Sequence, residues 1–91
     1  MRITIERFTV EAGIERGALE HWVERGWLLV ESGALSDADA ARARLIRDLL
    51  GDFGVNEEGV EIVLHLTDQL HGLRAAMAAL RKAGPGGEPE A

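Results

Sequence analysis

The 91-residue sequence contains no cysteine, which excludes disulfide bonds, thiolate metal ligands and cysteine nucleophiles. No run of apolar residues approaches the roughly 20 needed for a membrane-spanning helix. The first ten residues, MRITIERFTV, lack the apolar core of a signal peptide and include Glu6. A cytoplasmic location without membrane contact is therefore expected, and the length is that of one small domain.

Basic and aromatic residues are both scarce. Lysine and arginine total 10 against 16 aspartates and glutamates, and the formal net charge is −6. Because nucleic-acid binding depends on cations that displace counterions from phosphate, this balance argues against it. The acidic charge suits a basic protein partner, or simply solubility. With two Trp and two Phe, the small core depends on aliphatic residues and could gain stability from oligomerisation.

Apolar residues recurring every three or four positions predict two short helices near the N-terminus, over about 5–12 and 15–25. Gly13 and Gly26 are expected to end them. Their apolar faces consist of Ile5, Phe8, Ala12, Leu19, Trp22 and Val23. Two short helices around a tight turn indicate a helix-turn-helix.

A third helix is predicted to start at the N-cap Ser36 and to continue to about Phe53. Its expected apolar face is formed by Ala41, Leu45, Ile46, Leu49, Leu50 and Phe53. The segment before it, residues 27–30, could be extended, with a turn at Ser32 and Gly33.

A fourth helix, capped by Asn56, is predicted from Glu57 to about Lys82. Six of its apolar residues follow a spacing close to a heptad repeat: Ile62, Leu66, Leu70, Leu73, Met77 and Leu80. So long a helix is expected to dimerise with a second copy through these residues. The alternative is that the helix folds back on its own domain. Residues 83–91 are rich in Gly, Pro and Glu, and are predicted to be a disordered tail.

The series FTVEAGIERGALEHWVERGWL, ALSDADAARARLIRDLLGDFGV and a long helix resembles the N-terminal domain of MerR-type regulators. The resemblance implies an all-α fold. Its head, residues 1–55, would be a MerR-like winged helix-turn-helix, and residues 56–82 would form a long C-terminal dimerisation helix.

Residues 45–80 narrow this match, because they resemble the chaperone-modulator family typified by CbpM, with DafA as a relative. The matching positions are Asn56, Gly59, Val60, Leu64, Leu66, Asp68, Leu70 and Leu73. The resemblance implies a protein that binds the J-domain of a DnaJ- or CbpA-like co-chaperone and inhibits or tunes its stimulation of DnaK. DafA-like relatives instead help DnaK and DnaJ to assemble. The family implies no catalytic residue and no cofactor.

A DNA-binding regulator without an effector domain is the competing function. Where a MerR recognition helix carries groups that contact phosphate, this chain has Glu15, Ala18, Glu20 and His21. Residues 26–41 also hold no Lys or Arg, so a DNA contact is disfavoured. An acidic head that recognises a basic protein surface is the preferred interpretation. The candidate partner-binding residues are Glu15, Glu20, Glu24, Asp37, Asp48, Asp52 and Asp68.

Metal binding and catalysis have little support. His65 and His71 are six residues apart, on different helix faces, and His21 stands alone, so no metal site is expected. There is no glycine-rich phosphate loop, and the chain is predicted not to be an enzyme. Trp22 and Trp27 are both predicted to be core residues.

Overall fold

The structure is a computed structural model that describes residues 1–83. The described residues are mostly helical and end in a long helix, which confirms the prediction of a mainly helical fold with a long C-terminal helix. The elements are β1 (Arg2–Thr4), α1 (Ile5–Ala12), α2 (Arg16–Glu24), β2 (Ala34–Ser36), α3 (Asp37–Leu50) and α4 (Glu57–Ala83). The chain divides into two compact units, and the first, Met1–Glu61, is called the head below. The second unit begins at Ile62. The predicted tail lies, apart from Ala83, outside the described residues.

The two N-terminal helices are joined by a tight turn, as predicted. The Thr4 hydroxyl caps α1 by accepting a hydrogen bond from the Arg7 amide at 3.3 Å. At the other end Gly13 adopts a left-handed conformation with φ of 69°, and its amide donates to the Thr9 carbonyl at 3.0 Å. Glycine favours this conformation because it lacks a Cβ. The chain can therefore reverse and start α2 three residues later.

The sequence did not predict β1, which pairs antiparallel with β2 so that Ile3 faces Leu35. The turn expected at Ser32 and Gly33 is present, and both residues have positive φ, 54° and 71°. They lie between Glu31 and Ala34, which pair in an isolated antiparallel bridge, and so form a two-residue hairpin turn that is typical of type I′. Residues 27–30, which could have been extended, form no strand. The strand instead begins after the turn, at Ala34.

Of the predicted apolar face of α3, Ile46 alone is fully buried. The buried residues are Ala40, Ala43 and Ile46, whereas the expected Ala41 is exposed and Leu45 and Leu49 are only half-buried. The helix ends at Leu50, and the Phe53 side chain is 73% exposed. The pattern was misread because the buried face consists largely of small alanines, which a search for large apolar residues passes over. The cap was predicted correctly: the Ser36 hydroxyl accepts from the Asp39 amide at 3.1 Å.

Each part of the head contributes to one core. Its largest fully buried side chains are Phe8, Leu19, Leu35, Ile46 and Val60. Trp22 and Trp27 are each 5% exposed, which confirms that both are core residues. Two arginines of α3 donate hydrogen bonds to backbone carbonyls near the ends of α1 and α2. Arg47 Nη1 donates to the Ala12 carbonyl at 2.8 Å, and Arg42 Nε donates to the Trp27 carbonyl at 2.6 Å.

The start of α4 is closely packed around Gly59. The Asn56 side-chain oxygen accepts a hydrogen bond from the Gly59 amide at 2.8 Å, so Asn56 is the predicted cap. A Cβ placed on Gly59 would lie 2.6 Å from Val55 Cγ1 and 3.1 Å from Asn56 Oδ1. Because a β-branched valine rotates poorly about χ1, the Val55 side chain cannot easily give way.

We therefore expect Gly59→Ala to lower the free energy of unfolding by about 1 kcal/mol, because the steric cost exceeds the gain in helix propensity. Gly72→Ala, in the same helix, is the matched control, since a Cβ there would meet nothing within 4 Å. That substitution should raise the free energy by about 0.5–1 kcal/mol. Urea denaturation at one protein concentration measures both values. Equal stabilisation by the two substitutions would contradict the close approach at Gly59.

Candidate protein-binding site

The acidic charge of the protein is concentrated in the head. Residues 1–61 contain thirteen acidic residues and seven arginines, so their formal net charge is −6. Residues 62–83 contain one acidic residue, Asp68, against three basic residues, and their net charge is +2. A basic partner would therefore be attracted to the head more strongly than to residues 62–83.

The arginines of the head already have partners within the chain. Four of them form ion pairs with glutamates: Arg2 with Glu31 at 2.7 Å, Arg7 with Glu11 at 2.8 Å, Arg16 with Glu20 at 3.4 Å and with Glu6 at 3.6 Å, and Arg25 with Glu57 and Glu61. Arg42 and Arg47 donate to backbone carbonyls, and the Arg44 guanidinium lies 5.1 Å from the centre of the Phe8 ring. A phosphate backbone would have to compete with these contacts.

A polar network joins the C-terminal end of α2 to the first two turns of α4. Arg25 Nη1 lies 2.5 Å from Glu57 Oε1, and Arg25 Nη2 lies 2.8 Å from Glu61 Oε2. His21 Nε2 lies 3.0 Å from the other Glu57 oxygen. The buried Trp27 indole donates its N–H to Glu61 Oε2 at 3.2 Å, and the Arg25 guanidinium lies 5.0 Å from the centre of its ring. The network holds the start of α4 against the head.

The network shifts the titration of two of its members. Hydrogen bonds from Arg25 and from the Trp27 indole lower the pKa of Glu61 below its ordinary value of 4.5. The hydrogen bond to Glu61 raises the pKa of Arg25. Because the pKa of Glu61 is lower in the folded state, its contacts stabilise the fold above pH 4.5. This contribution is lost as the pH falls through the folded pKa.

The predicted partner-binding acids are distributed over several elements of the chain. Glu15, Glu20 and Glu24 are exposed on or beside α2. Asp37 is in the first turn of α3, Asp48 near its end, and Asp52 in the turn that follows. Asp68 belongs to the second unit. Of the seven, Glu20 and Glu24 line a common groove, whereas Asp48 lies 3.1 Å from Arg47 Nε in an ion pair.

The groove that contains Glu20 and Glu24 lies between α2 and the hairpin turn, and it is called the α2–hairpin groove below. Its volume is about 370 Å³. Its apolar lining comes from Ile5, Leu19, Val23 and Val30, and its other lining residues are Arg16 and Gly33. Ile5 and Leu19 are buried, whereas Val23 and Val30 are half-buried. The groove therefore combines an apolar floor with carboxylates at its rim.

A second groove, of about 620 Å³, lies between β1, α1 and α3. Its charged lining residues have both signs: Arg2, Arg7, Arg44, Glu11 and Asp37. Arg2 and Arg7 are already paired with glutamates. The mixed charge favours no single class of charged ligand.

The second unit exposes the six apolar residues of the predicted dimer interface. Ile62, Leu66, Leu70, Leu73, Met77 and Leu80 are between 46% and 72% exposed. Val60 and Leu64, which lie on the opposite side of α4, are buried. An exposed apolar stripe of this length is typical of a protein-protein interface.

His65 and His71 are exposed. Within residues 1–83, no group of three or more His, Asp and Glu side chains could hold a metal ion. Over the same range, no helix is long and apolar enough to cross a membrane.

Sequence reasoning missed the polar network and the contribution of Val30 to the groove. Glu57 and Glu61 are four residues apart, which indicates that they share one helix face. Their partners His21, Arg25 and Trp27 are more than thirty residues away in the sequence, and no local pattern pairs residues over that distance. Val30 could be placed beside α2 only once the path of the hairpin was known.

The fold and its surfaces define a small, mostly helical protein with an acidic head and a long C-terminal helix that exposes an apolar stripe. No protein-family model matches the sequence, and no curated protein or solved structure is significantly similar to it.

Proposed function

We propose that this protein is a homodimeric chaperone modulator with a MerR-like winged helix-turn-helix head. The head would bind the J-domain of a DnaJ- or CbpA-like co-chaperone and inhibit or tune its stimulation of DnaK. The observation that carries the proposal is the charge of the head. Its net charge is −6, its arginines are engaged within the chain, and carboxylates such as Glu24 and Asp52 form no ion pair with any described residue.

The backbone supports a MerR-like frame without a DNA-binding surface. The helix pair α1 and α2, the tight turn at Gly13 and the hairpin turn at Ser32 and Gly33 follow the order of elements of a winged helix-turn-helix. Exposed carboxylates lie at the start of α2 (Glu15, its N-cap residue) and along the helix (Glu20 and Glu24). Carboxylates on the helix that would enter the major groove oppose binding to phosphates.

The motif residues shared with chaperone modulators have defined structural roles here. Asn56 caps α4. Position 59 favours glycine because a Cβ there would lie too close to the Val55 side chain. The resemblance therefore includes two positions that apolar spacing alone would not select. A J-domain suits the acidic head because its second helix is rich in Lys and Arg, as the family resemblance implies, and opposite charges steer association.

The long helix supports dimerisation. Its six exposed apolar residues repeat at intervals of three and four, which is the spacing of a helix pair. A dimer would cover this stripe and would present two acidic heads to the partner.

Isothermal titration calorimetry of the full chain against the J-domain of the co-chaperone from the same organism tests the proposal. We expect a dissociation constant of about 10 μM or tighter at low salt, and weaker binding at moderate salt, because screening reduces attraction between exposed charges. A steady-state ATPase assay with DnaK and the co-chaperone then measures inhibition. The proposal would be overturned if the titration gave no heat and the two proteins did not co-elute at either salt concentration. Tight binding to selected duplex DNA would favour the regulator alternative.

A further inference from the structure

The charges lining the α2–hairpin groove are predominantly negative. Among the residues that the structure describes, Arg16 is the only cation that lines it, and its guanidinium is already shared between Glu20 at 3.4 Å and Glu6 at 3.6 Å. Glu24, one helical turn from Glu20, forms no ion pair with any described residue. The groove is thus lined by two carboxylates and one guanidinium, and that guanidinium is also paired with Glu6 outside the lining, so the rim has an unbalanced negative charge available to a ligand.

The floor of the groove is apolar and partly accessible. Val23 on α2 and Val30 before the hairpin turn are half-buried, and the deeper lining is formed by Ile5 and Leu19. A volume of about 370 Å³ has room for a few side chains rather than for a folded domain. A helix that presents apolar residues every three or four positions fits such a floor.

We propose that the α2–hairpin groove binds a basic amphipathic helix of the partner protein. Apolar side chains of that helix contact Val23 and Val30, and its flanking Lys or Arg side chains approach Glu20 and Glu24. This inference rests on the proposed function and specifies which surface of the head carries it. It also separates Glu20 and Glu24 from Asp37, Asp48 and Asp52, which lie outside the groove.

Two groove variants and two matched controls test the inference by calorimetry with the J-domain of the same organism's co-chaperone. Glu24→Arg reverses one rim charge, and Asp52→Arg makes the same change outside the groove. Val30→Asp places a charge on the floor of the groove. Its control, Val10→Asp, places the same charge at an exposed position of α1 that does not line the groove. We expect each groove variant to weaken binding about tenfold or more, and each control to stay within about twofold.

Circular dichroism and thermal unfolding establish that every variant is folded. Glu24→Arg is suited to this purpose because a cation near the C-terminal end of α2 is favourable to the helix dipole. Suppose that the wild-type protein binds the J-domain and that both groove variants have dissociation constants within twofold of the wild-type value. The groove assignment is then overturned, while the proposed function stands. The assignment is also overturned if Asp52→Arg weakens binding as much as Glu24→Arg. If the wild-type protein does not bind, both proposals fail.

Discussion

Replacing Leu70 with Asp is expected to convert the proposed dimer into monomers. Leu70 lies in the middle of the exposed apolar stripe of α4 and is 46% exposed, less than the other five residues of the stripe. Burying a leucine side chain contributes about 1.5–3 kcal/mol, and a symmetric dimer loses this twice. The expected loss of about 3–6 kcal/mol corresponds to an increase of about two to four orders of magnitude in the dissociation constant.

Sedimentation equilibrium over a range of protein concentrations measures this constant. His71→Asp is the matched control, because His71 is exposed on the other side of the helix, away from the stripe. This variant should dimerise like the wild-type protein. A wild-type chain that stays monomeric at high concentration, or equal dissociation constants for Leu70→Asp and the wild-type protein, would refute dimerisation through this stripe.

The helices could be predicted from the sequence because their signals are local. Gly13 and Asn56 mark helix ends through their own backbone or side-chain chemistry, and the observed ends of α1 and α2 agree with the predictions within one residue. The strand β1 could not be found in this way. It has three residues and exists because Arg2–Thr4 pairs with Ala34–Ser36, about thirty residues away.

The candidate site shows the same division between local and distant information. Glu20 and Glu24 were predicted, and they share a groove because residues four apart occupy one face of a helix. Of the other predicted acids, Glu15 is the N-cap residue of α2 and the rest lie on other elements, where Asp48 is paired with its neighbour Arg47. Composition identified the sign of the surface charge, but the grouping of acids beside Val30 depends on how the hairpin packs on α2.

The strongest effect on stability is expected from Trp27→Ala. Trp27 is 5% exposed, its carbonyl accepts a hydrogen bond from Arg42, and its indole donates to Glu61. Removing this ring from the core should lower the free energy of unfolding by about 3–5 kcal/mol. Small domains have a total stability of about 5–15 kcal/mol, so the variant should be extensively destabilised in thermal and urea unfolding.

Trp27→Phe separates the packing of the ring from the hydrogen bond of the indole. It retains an aromatic ring in the core but removes the N–H donor to Glu61, so its loss of stability should be much smaller than that of Trp27→Ala. Because the indole hydrogen bond helps to lower the pKa of Glu61, this pKa should rise in Trp27→Phe. It should stay below 4.5, since Arg25 remains in place. An NMR titration of the Glu61 carboxyl measures the shift. If the two variants are equally unstable, the polar network rather than the buried ring holds this part of the head together.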